Sequence, residues 1–226
     1  MQMRLSHEIR NPTYYIQALH GEYAPWAYAE QKAVGMKGRW REQAFDISGG
    51  GEMPLDLEIG TGNGFFFAHR AALNRDRLIV GIEIKFKPLI QSIRRALASD
   101  CQNARIVRYH AAWVEELFAP SELNDIFIHH PDPWEHPRKQ KHRLFRREYL
   151  NKLFNLQRPG AHLEFKTDSE SYFRWAKNET EKTSYRLERY AENLHASEWG
   201  SENFVTHFES IFTKKGLPIY YMRLER

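Results

Sequence analysis

The sequence predicts an α/β fold, in which helices lie on both faces of a mostly parallel sheet. From Met53 onward, short apolar or alternating segments that are typical of strands take turns with segments of helical periodicity. Strands and helices that alternate along a chain pack as a parallel sheet covered by helices. The length of 226 residues and the hydrophobic content of 42% are enough for one such domain with a small extension.

Each predicted element follows from its local pattern. Apolar or alternating residues predict five strands, at 55–59, 78–82, 104–109, 125–129 and 162–167. Helices are predicted between them, at 65–73, 88–98, 114–117 and 147–156. Gly160 is expected to end the last of these helices. A helix at 172–180 and strands near 185–190 and 219–224 complete the chain.

The first 52 residues are interpreted as an N-terminal extension, ahead of a main domain at 53–226. The extension is rich in aromatic and basic side chains and ends in Ser48-Gly49-Gly50-Gly51. Three consecutive glycines are costly to order and commonly mark a turn or a joint. Two interpretations stay open: the aromatic side chains pack on the main domain, or they also stack on nucleic-acid bases beside the basic residues.

Composition and charge narrow the possible classes of function. The formal charge is only +4, so an argument for nucleic-acid binding depends on where the charges cluster. The single cysteine, Cys101, excludes an internal disulfide framework and fits a reducing cytoplasm. No apolar run approaches the ~20 residues of a membrane span, and the N-terminus lacks the apolar core of a secretory signal. We therefore expect a cytoplasmic protein.

A glycine-rich loop lies between the first predicted strand and the helix after it. Gly60, Gly62 and Gly64 alternate with Thr61 and Asn63. In this position glycines let a ligand approach the backbone and the free N–H groups of the helix start. The spacing is Gly-x-Gly-x-Gly and not the Gly-x-Gly-x-x-Gly of a dinucleotide site, which disfavours a nicotinamide oxidoreductase.

Two acidic residues accompany the glycine loop. Glu58 immediately precedes it and suits a ligand with a positive charge or an amino group. Glu83 ends the second strand, 19 residues after Gly64, where a carboxylate can accept hydrogen bonds from both ribose hydroxyls of an adenosyl group. S-adenosylmethionine has an ammonium, a sulfonium and an adenosyl ribose, so the combination predicts that cofactor. The alternatives are a solvated strand-end carboxylate for Glu83 and a locally bonded one for Glu58.

A proline-flanked acid follows the fourth predicted strand. Pro131-Asp132-Pro133-Trp134 lies at the strand end where parallel sheets carry their chemistry, and its prolines fix the backbone around Asp132. The next 13 residues hold six Lys or Arg, two His and one Glu, a composition that predicts a phosphate-contacting patch. His129, His130 and His136 surround Asp132 without a recognised metal-ligand spacing, so no metal is predicted.

Together these motifs resemble the bacterial tRNA (guanine-N7)-methyltransferases, from about residue 55 to the C-terminus. The shared segments are Glu58-Ile59-Gly60-x-Gly62-Asn63-Gly64, Gly81-Ile82-Glu83, Pro131-Asp132-Pro133-Trp134, Thr167-Asp168, Thr206-His207-Phe208-Glu209 and Gly216-Leu217-Pro218-Ile219-Tyr220. The resemblance implies a Rossmann-like class I methyltransferase fold with a seven-stranded sheet whose final strand is antiparallel. It also implies methyl transfer from S-adenosylmethionine to N7 of a guanine in the tRNA variable loop, by a monomer or a homodimer.

The resemblance assigns roles residue by residue. Asp132 would be the catalytic residue and would also join Glu58, Glu83 and the three glycines in the cofactor site. Ala111 stands where the family has an acid near the adenine ring, so adenine recognition is expected to use backbone or water. The target nucleotide would be held by His136, Asp168, Thr206, His207, Phe208 and Glu209. The tRNA would be contacted by Arg138, Lys139, Lys141, His142 and Arg143.

The implied reaction needs little acid–base chemistry. Guanine N7 has a lone pair and no proton, so its attack on a methyl sulfonium depends mainly on in-line alignment. A fixed carboxylate can stabilise the positive charge that the purine gains. We therefore expect Asp132 to orient the guanine while Asp168 and Glu209 read its donors. An alternative stays open, a methyltransferase fold that binds RNA without catalysis, suggested by Ala111 and by the altered segment after Trp134.

Overall fold

The computed structural model describes residues 13–45 and 53–226, and these divide after Asn124 into two compact units. The glycine joint predicted at 49–51 and the domain boundary predicted at 52 lie outside the described residues. Within the described residues, no helix has the length and apolar character that crossing a bilayer requires.

The first unit contains the N-terminal segment and the first half of the predicted α/β alternation. Its elements are α1 (Thr13–His20), β1 (Ala27–Ala29), α2 (Glu30–Val34), a π-helical turn (Trp40–Ala44), β2 (Leu55–Ile59), α3 (Phe65–Leu73), β3 (Leu78–Ile82), α4 (Phe86–Ala98), β4 (Ala104–Arg108) and a 3-10 helix (Ala111–Glu116). Its strands are all parallel and have the order β1-β4-β3-β2. β2, β3 and β4 are buried along their whole length. Only β3 is a continuous apolar run, because β2 also contains Asp56 and Glu58 and β4 contains Arg105 and Arg108.

The N-terminal segment is an integral part of this first unit. The indole Nε1 of the buried Trp40 donates to the Leu117 carbonyl at 2.8 Å. The Arg41 guanidinium donates to the carbonyls of Met53 and Glu122. These contacts support the interpretation in which the extension packs its aromatics on the main domain.

The second unit holds the remaining strands. Its elements are β5 (Ile126–His129), a 3-10 helix (Pro137–His142), α5 (Arg147–Leu156), β6 (His162–Thr167), α6 (Glu170–Thr180), β7 (Arg186–Ala191), two 3-10 turns (Leu194–Ala196 and Gly200–Glu202), α7 (His207–Lys214) and β8 (Tyr220–Glu225). The strand order is β5-β6-β8-β7. β5 and β6 are parallel, and β8 is antiparallel to both β6 and β7. The prediction of an antiparallel final strand is therefore confirmed.

The predicted elements are largely confirmed. The helices α1, α2 and α7 are not among the predicted elements, and three further differences concern the loops and the sheet. β2, β3, β6, α3 and α5 have the predicted bounds. The helix predicted at 114–117 is instead the 3-10 helix Ala111–Glu116. Gly160 does not end α5, which stops at Leu156, because Arg158 precedes Pro159 and a residue before proline disfavours the helical region. Gly160 instead occupies a turn, with a φ of +76°.

The third difference is an additional strand. The described residues hold eight strands, one more than the seven predicted, because β1 of the N-terminal segment pairs in parallel with β4. Ala27 lies opposite Ile106 and Ala29 lies opposite Arg108. The main domain as predicted from residue 53 onward therefore leaves out one strand of the sheet.

Candidate active site

The glycine loop has the backbone that its sequence predicts. Gly60, Gly62 and Gly64 have φ values of +83°, +54° and +78°, a region that side chains with a Cβ rarely adopt. The Gly60 amide donates to the Ile82 carbonyl at 2.8 Å, which ties the loop to the end of β3. The Ser92 hydroxyl of α4 donates to the Gly62 carbonyl at 2.9 Å. The loop is therefore held in shape by its neighbours.

The loop backbone and Glu83 fit an adenosyl cofactor. The Glu83 carboxylate accepts hydrogen bonds from the amides of Gly62 at 3.1 Å and Lys85 at 2.9 Å. Burial raises the pKa of Glu83, and these N–H donors act in the opposite direction. A Cβ built on Gly60 meets no atom of the described residues within 4 Å, so there is room for a ligand against the loop. Glu58 is buried at the end of β2, next to the loop.

The predicted adenine-site residue, Ala111, begins the 3-10 helix after β4. The His110 imidazole caps this helix, because its Nδ1 accepts from the Ala112 amide at 3.2 Å. Since alanine has no polar side-chain atom, recognition through backbone or water remains a prediction.

The Pro-Asp-Pro-Trp loop follows β5 directly and has an unusual backbone. His130 and Trp134 flank it with φ values of +48° and +43°, conformations that are costly for residues other than glycine. The Arg143 guanidinium Nε donates to the Pro133 carbonyl at 2.8 Å. Asp132 is exposed, and it lies between His130 and the Pro133 carbonyl that Arg143 holds. The loop therefore presents one carboxylate to solvent from a constrained backbone.

Arg143, one of the residues predicted to contact tRNA, is enclosed by aromatic rings in the structure. Its side chain is 2% exposed and stacks over the rings of Tyr172 and Trp175, with its guanidinium carbon 4.9 and 5.1 Å from their centroids. This enclosed guanidinium supports the loop through its bond to Pro133, and its contact with tRNA stays a prediction. The other predicted RNA-contacting residues lie in or beside the exposed 3-10 helix and are Arg138, Lys139, Lys141 and His142.

The predicted nucleotide-binding residues lie around the end of β6 and the start of α7. Asp168 follows β6 and is partly exposed. His207 and Phe208 are exposed, Phe208 by 52%. His136 is also exposed, and its Nδ1 accepts from the Arg138 amide at 3.3 Å.

Thr206 and Glu209 have a structural role at the start of α7. They form a capping box at the start of α7, in which each side chain accepts from the other residue's amide. Glu209 is fully buried and also accepts from the Asn203 amide at 2.5 Å, with Lys166 Nζ at 3.7 Å. Glu209 is therefore enclosed by bonds within the second unit, and its direct contact with guanine stays a prediction.

The sequence did not predict the hydrogen bonds that connect the segment after Trp134 to the segment after β6. The Glu135 carboxylate accepts hydrogen bonds from the hydroxyls of Ser169 and Ser171, the latter at 2.6 Å. Hydrogen bonds from Ser169 and Ser171 hold the pKa of Glu135 below its usual range. Glu135 is the one acid in a basic stretch of 13 residues. This isolated acid was the one sequence feature that could have indicated a specific role for Glu135. These hydrogen bonds connect the segment after Asp132 to the segment after Asp168.

Beneath these loops lies a buried polar cluster. His129 Nε2 and Glu164 Oε1 are 2.8 Å apart, and Lys166 Nζ lies 3.9 Å from the same carboxylate. Burial and the Lys166 charge lower the pKa of His129 to about 4. Burial raises the pKa of Glu164, but the His129 hydrogen bond and Lys166 outweigh it and bring that pKa to about 2. In this cluster the Glu164 carboxylate is therefore shared by a neutral imidazole and a cation.

Comparison with known proteins places the chain in a family. A family model described as "Putative methyltransferase" matches residues 52–222. A tRNA (guanine-N(7)-)-methyltransferase of Bdellovibrio bacteriovorus is 47% identical over 209 residues, which cover 92% of this chain and 99% of that protein. A protein of the same name from Listeria monocytogenes is 32% identical over 84% of this chain and 85% of its own length.

Solved structures agree with the fold. The crystal structure of the 16S rRNA methyltransferase KamB has a TM-score of 0.56 and 16% identity, covering 83% of this chain and 91% of that one. A SAM-dependent methyltransferase from Aquifex aeolicus has a TM-score of 0.52 and 12% identity, covering 85% and 96%. At these identities the likeness shows the class I methyltransferase fold alone. The extent of the family match and the 47% identity show that the chain belongs to the tRNA (guanine-N(7)-)-methyltransferase family.

Proposed function

We propose that this protein transfers a methyl group from S-adenosylmethionine to N7 of a guanine in tRNA, with the variable loop as the site. The observation that carries the proposal is the 47% identity over nearly the whole chain to a tRNA (guanine-N(7)-)-methyltransferase. The glycine loop bonded to Glu83 supports it, since this pairing suits an adenosyl group.

The first unit is proposed to bind the methyl donor. When bound, S-adenosylmethionine supplies a methyl group on a positively charged sulfur. Glu83 accepts from the ribose hydroxyls, and Glu58 faces the positive charge of the amino acid part. The glycines at 60, 62 and 64 leave the backbone amides open to the ligand because they have no side chain there.

The second unit is proposed to bind the acceptor. Asp132 orients the guanine and stabilises the positive charge that develops on the purine as N7 is methylated. Asp168 accepts hydrogen bonds from the donors of the base, and Phe208 offers an exposed ring for stacking. No residue is required to remove a proton from N7. Thr206 and Glu209 contribute by fixing the start of α7.

The exposed cations after Trp134 are proposed to contact the tRNA backbone. Arg138, Lys139 and Lys141 are exposed on one 3-10 helix that also contacts the Trp134 ring through Lys139 and His142. Clustered cations of this kind contribute affinity through release of counterions from phosphates. A tRNA substrate also fits the cytoplasmic location expected from the sequence.

The test is methylation of an unmodified tRNA transcript with radiolabelled S-adenosylmethionine, followed by N7-sensitive cleavage to map the label. We expect label at one guanine in the variable loop. Asp132→Asn should lower the single-turnover rate strongly, whereas Asp76→Asn, an exposed matched change in the first unit, should not. Binding of tRNA without any label would instead support an RNA-binding protein without catalysis. A near wild-type rate for Asp132→Asn would remove Asp132 from its assigned role.

A further inference from the structure

His130 is held at the edge of the acceptor site by the sheet itself. It directly follows β5, and its amide donates to the Lys166 carbonyl of β6 at 2.8 Å. Because β5 and β6 are parallel with His129 opposite Lys166, the residues after the two strands emerge side by side. Asp168 is the second residue after Lys166, so the topology brings the His130 and Asp168 side chains together.

The His130 imidazole is enclosed without a bonded partner. Its side chain is 4% exposed, and neither ring nitrogen has a hydrogen bond to the described residues. Its ring packs on Phe212, with the centroids 5.4 Å apart. Buried polar atoms are nearly always hydrogen-bonded, and leaving one unbonded costs about 1–3 kcal/mol. An imidazole in this position is therefore expected to gain a partner when the site is in use.

The nearest candidate partner is the Asp168 carboxylate. His130 Nδ1 lies 3.6 Å from Asp168 Oδ1, so an approach of roughly half an ångström makes a hydrogen bond of ordinary length. The neighbouring His129 does not compete for the Asp168 carboxylate, because its Nε2 is already 2.8 Å from Glu164. Among the residues that the structure describes, no group of three or more His, Cys, Asp or Glu is arranged to hold a metal ion.

We propose that His130 is a positioning residue for Asp168, which donates its Nδ1–H to Oδ1 and fixes the carboxylate for the acceptor base. A carboxylate has about four acceptor positions, so one bond from His130 leaves the others for the donors of guanine. The left-handed backbone of His130 is part of the arrangement, because it turns the chain directly after β5. This inference rests on the proposed function, in which Asp168 binds the target nucleotide.

The test is a double-mutant cycle on the tRNA KM. His130→Phe keeps a planar ring against Phe212 and removes both nitrogens, and we expect it to raise the KM for tRNA roughly tenfold. The Kd for S-adenosylmethionine should not change. His130→Asn should restore most of the loss, because its amide is a donor near the former Nδ1 and asparagine tolerates a positive φ. In an Asp168→Asn background, His130→Phe should have little further effect.

The outcomes separate the inference from the proposed function. An Asp168→Asn variant with wild-type kinetics would overturn the acceptor site itself. A different result would overturn only the positioning role. In it, Asp168→Asn is impaired, but His130→Phe raises the KM for tRNA by the same factor in the wild-type and Asp168→Asn backgrounds. If His130→Phe folds poorly, the nitrogen-15 resonances of the wild-type imidazole decide the question. Nδ1 should carry the proton and should shift in Asp168→Asn, and an unchanged Nδ1 signal contradicts the bond.

Discussion

Glu83 and Gly62 hold each other in place, because the Glu83 Oε2 atom accepts a hydrogen bond from the Gly62 amide at 3.1 Å. The carboxylate that is proposed to bind the ribose and the loop that is proposed to face the rest of the cofactor are therefore one preformed unit. Preformed geometry lowers the entropic cost of binding. The cofactor site is expected to be assembled before its ligand arrives.

Replacing Glu83 by glutamine should weaken cofactor binding without unfolding the protein. Hydrogen bonds to a charged acceptor contribute about 1.5–3 kcal/mol each, so we expect a rise in the Kd for S-adenosylmethionine of roughly tenfold or more. Isothermal titration calorimetry measures this directly. Glu181→Gln, at an exposed carboxylate after α6, is the control and should bind normally. Equal affinities for both variants would contradict the ribose role.

Two glycine-to-alanine changes in one loop should have different effects. A Cβ on Gly64 would lie 2.3 Å from the Ser92 Cα, so Gly64→Ala forces α4 to move and should lower the free energy of unfolding by about 3 kcal/mol or more. Gly60→Ala meets no described atom and should cost only the left-handed strain of about 1–2 kcal/mol. Urea unfolding compares the two. A Gly60→Ala variant as unstable as Gly64→Ala would mean that strain, and not the clash, dominates.

Substitutions at Arg143 and Lys141 should have different effects, the first on the stability of the protein and the second on its affinity for tRNA. Arg143→Lys loses the stacked guanidinium and the bond to Pro133, so it should lower thermal stability. Lys141→Ala should leave stability nearly unchanged. It should weaken tRNA binding and reduce the slope of log K against log salt by about 0.7–0.9, the value for one phosphate contact. Filter binding at several salt concentrations tests this, and an unchanged slope for Lys141→Ala would exclude it from the phosphate contacts.

The His129–Glu164 pair predicts a loss of stability in mild acid. The unfolded chain protonates His129 below about 6.5, whereas the native state does so only near 4, so the free energy of unfolding falls as the pH drops between these values. Glu164 has its native pKa at about 2, below its ordinary 4.5, and extends the loss toward lower pH. His129→Gln, which cannot titrate, should lose less stability between pH 7 and pH 5 in urea unfolding. His142→Gln, an exposed control, should follow the wild type.

The strands and the cofactor loop could be predicted from sequence because their signals are local. β2 alternates apolar and acidic residues and is followed by Gly60, and β3 is a short apolar run. The three glycines of the loop at 60–64 predict a backbone with positive φ values. β1 could not be predicted in this way. Its three residues, Ala27–Ala29, have no periodicity of their own and are a strand only because β4 is beside them.

The roles of buried charged residues also depended on distant neighbours. Arg143 stands in a basic run that predicts an RNA contact, but the rings that enclose it come 29 and 32 positions later, at Tyr172 and Trp175. The family resemblance predicts Glu209 as a guanine ligand, and the Thr206-x-x-Glu209 spacing is also the local signature of a capping box. Charge and motif alone do not reveal whether a charged side chain is buried or which residues bury it.

The pairing of β1 with β4 has a practical consequence for the sheet edge. A fragment that started at the main domain predicted from residue 53 would leave the backbone N–H and C=O groups of β4 bare along that side. An uncovered strand edge is a template for pairing with another chain. We therefore expect such a truncated protein to associate through this edge, which β1 covers in the structure.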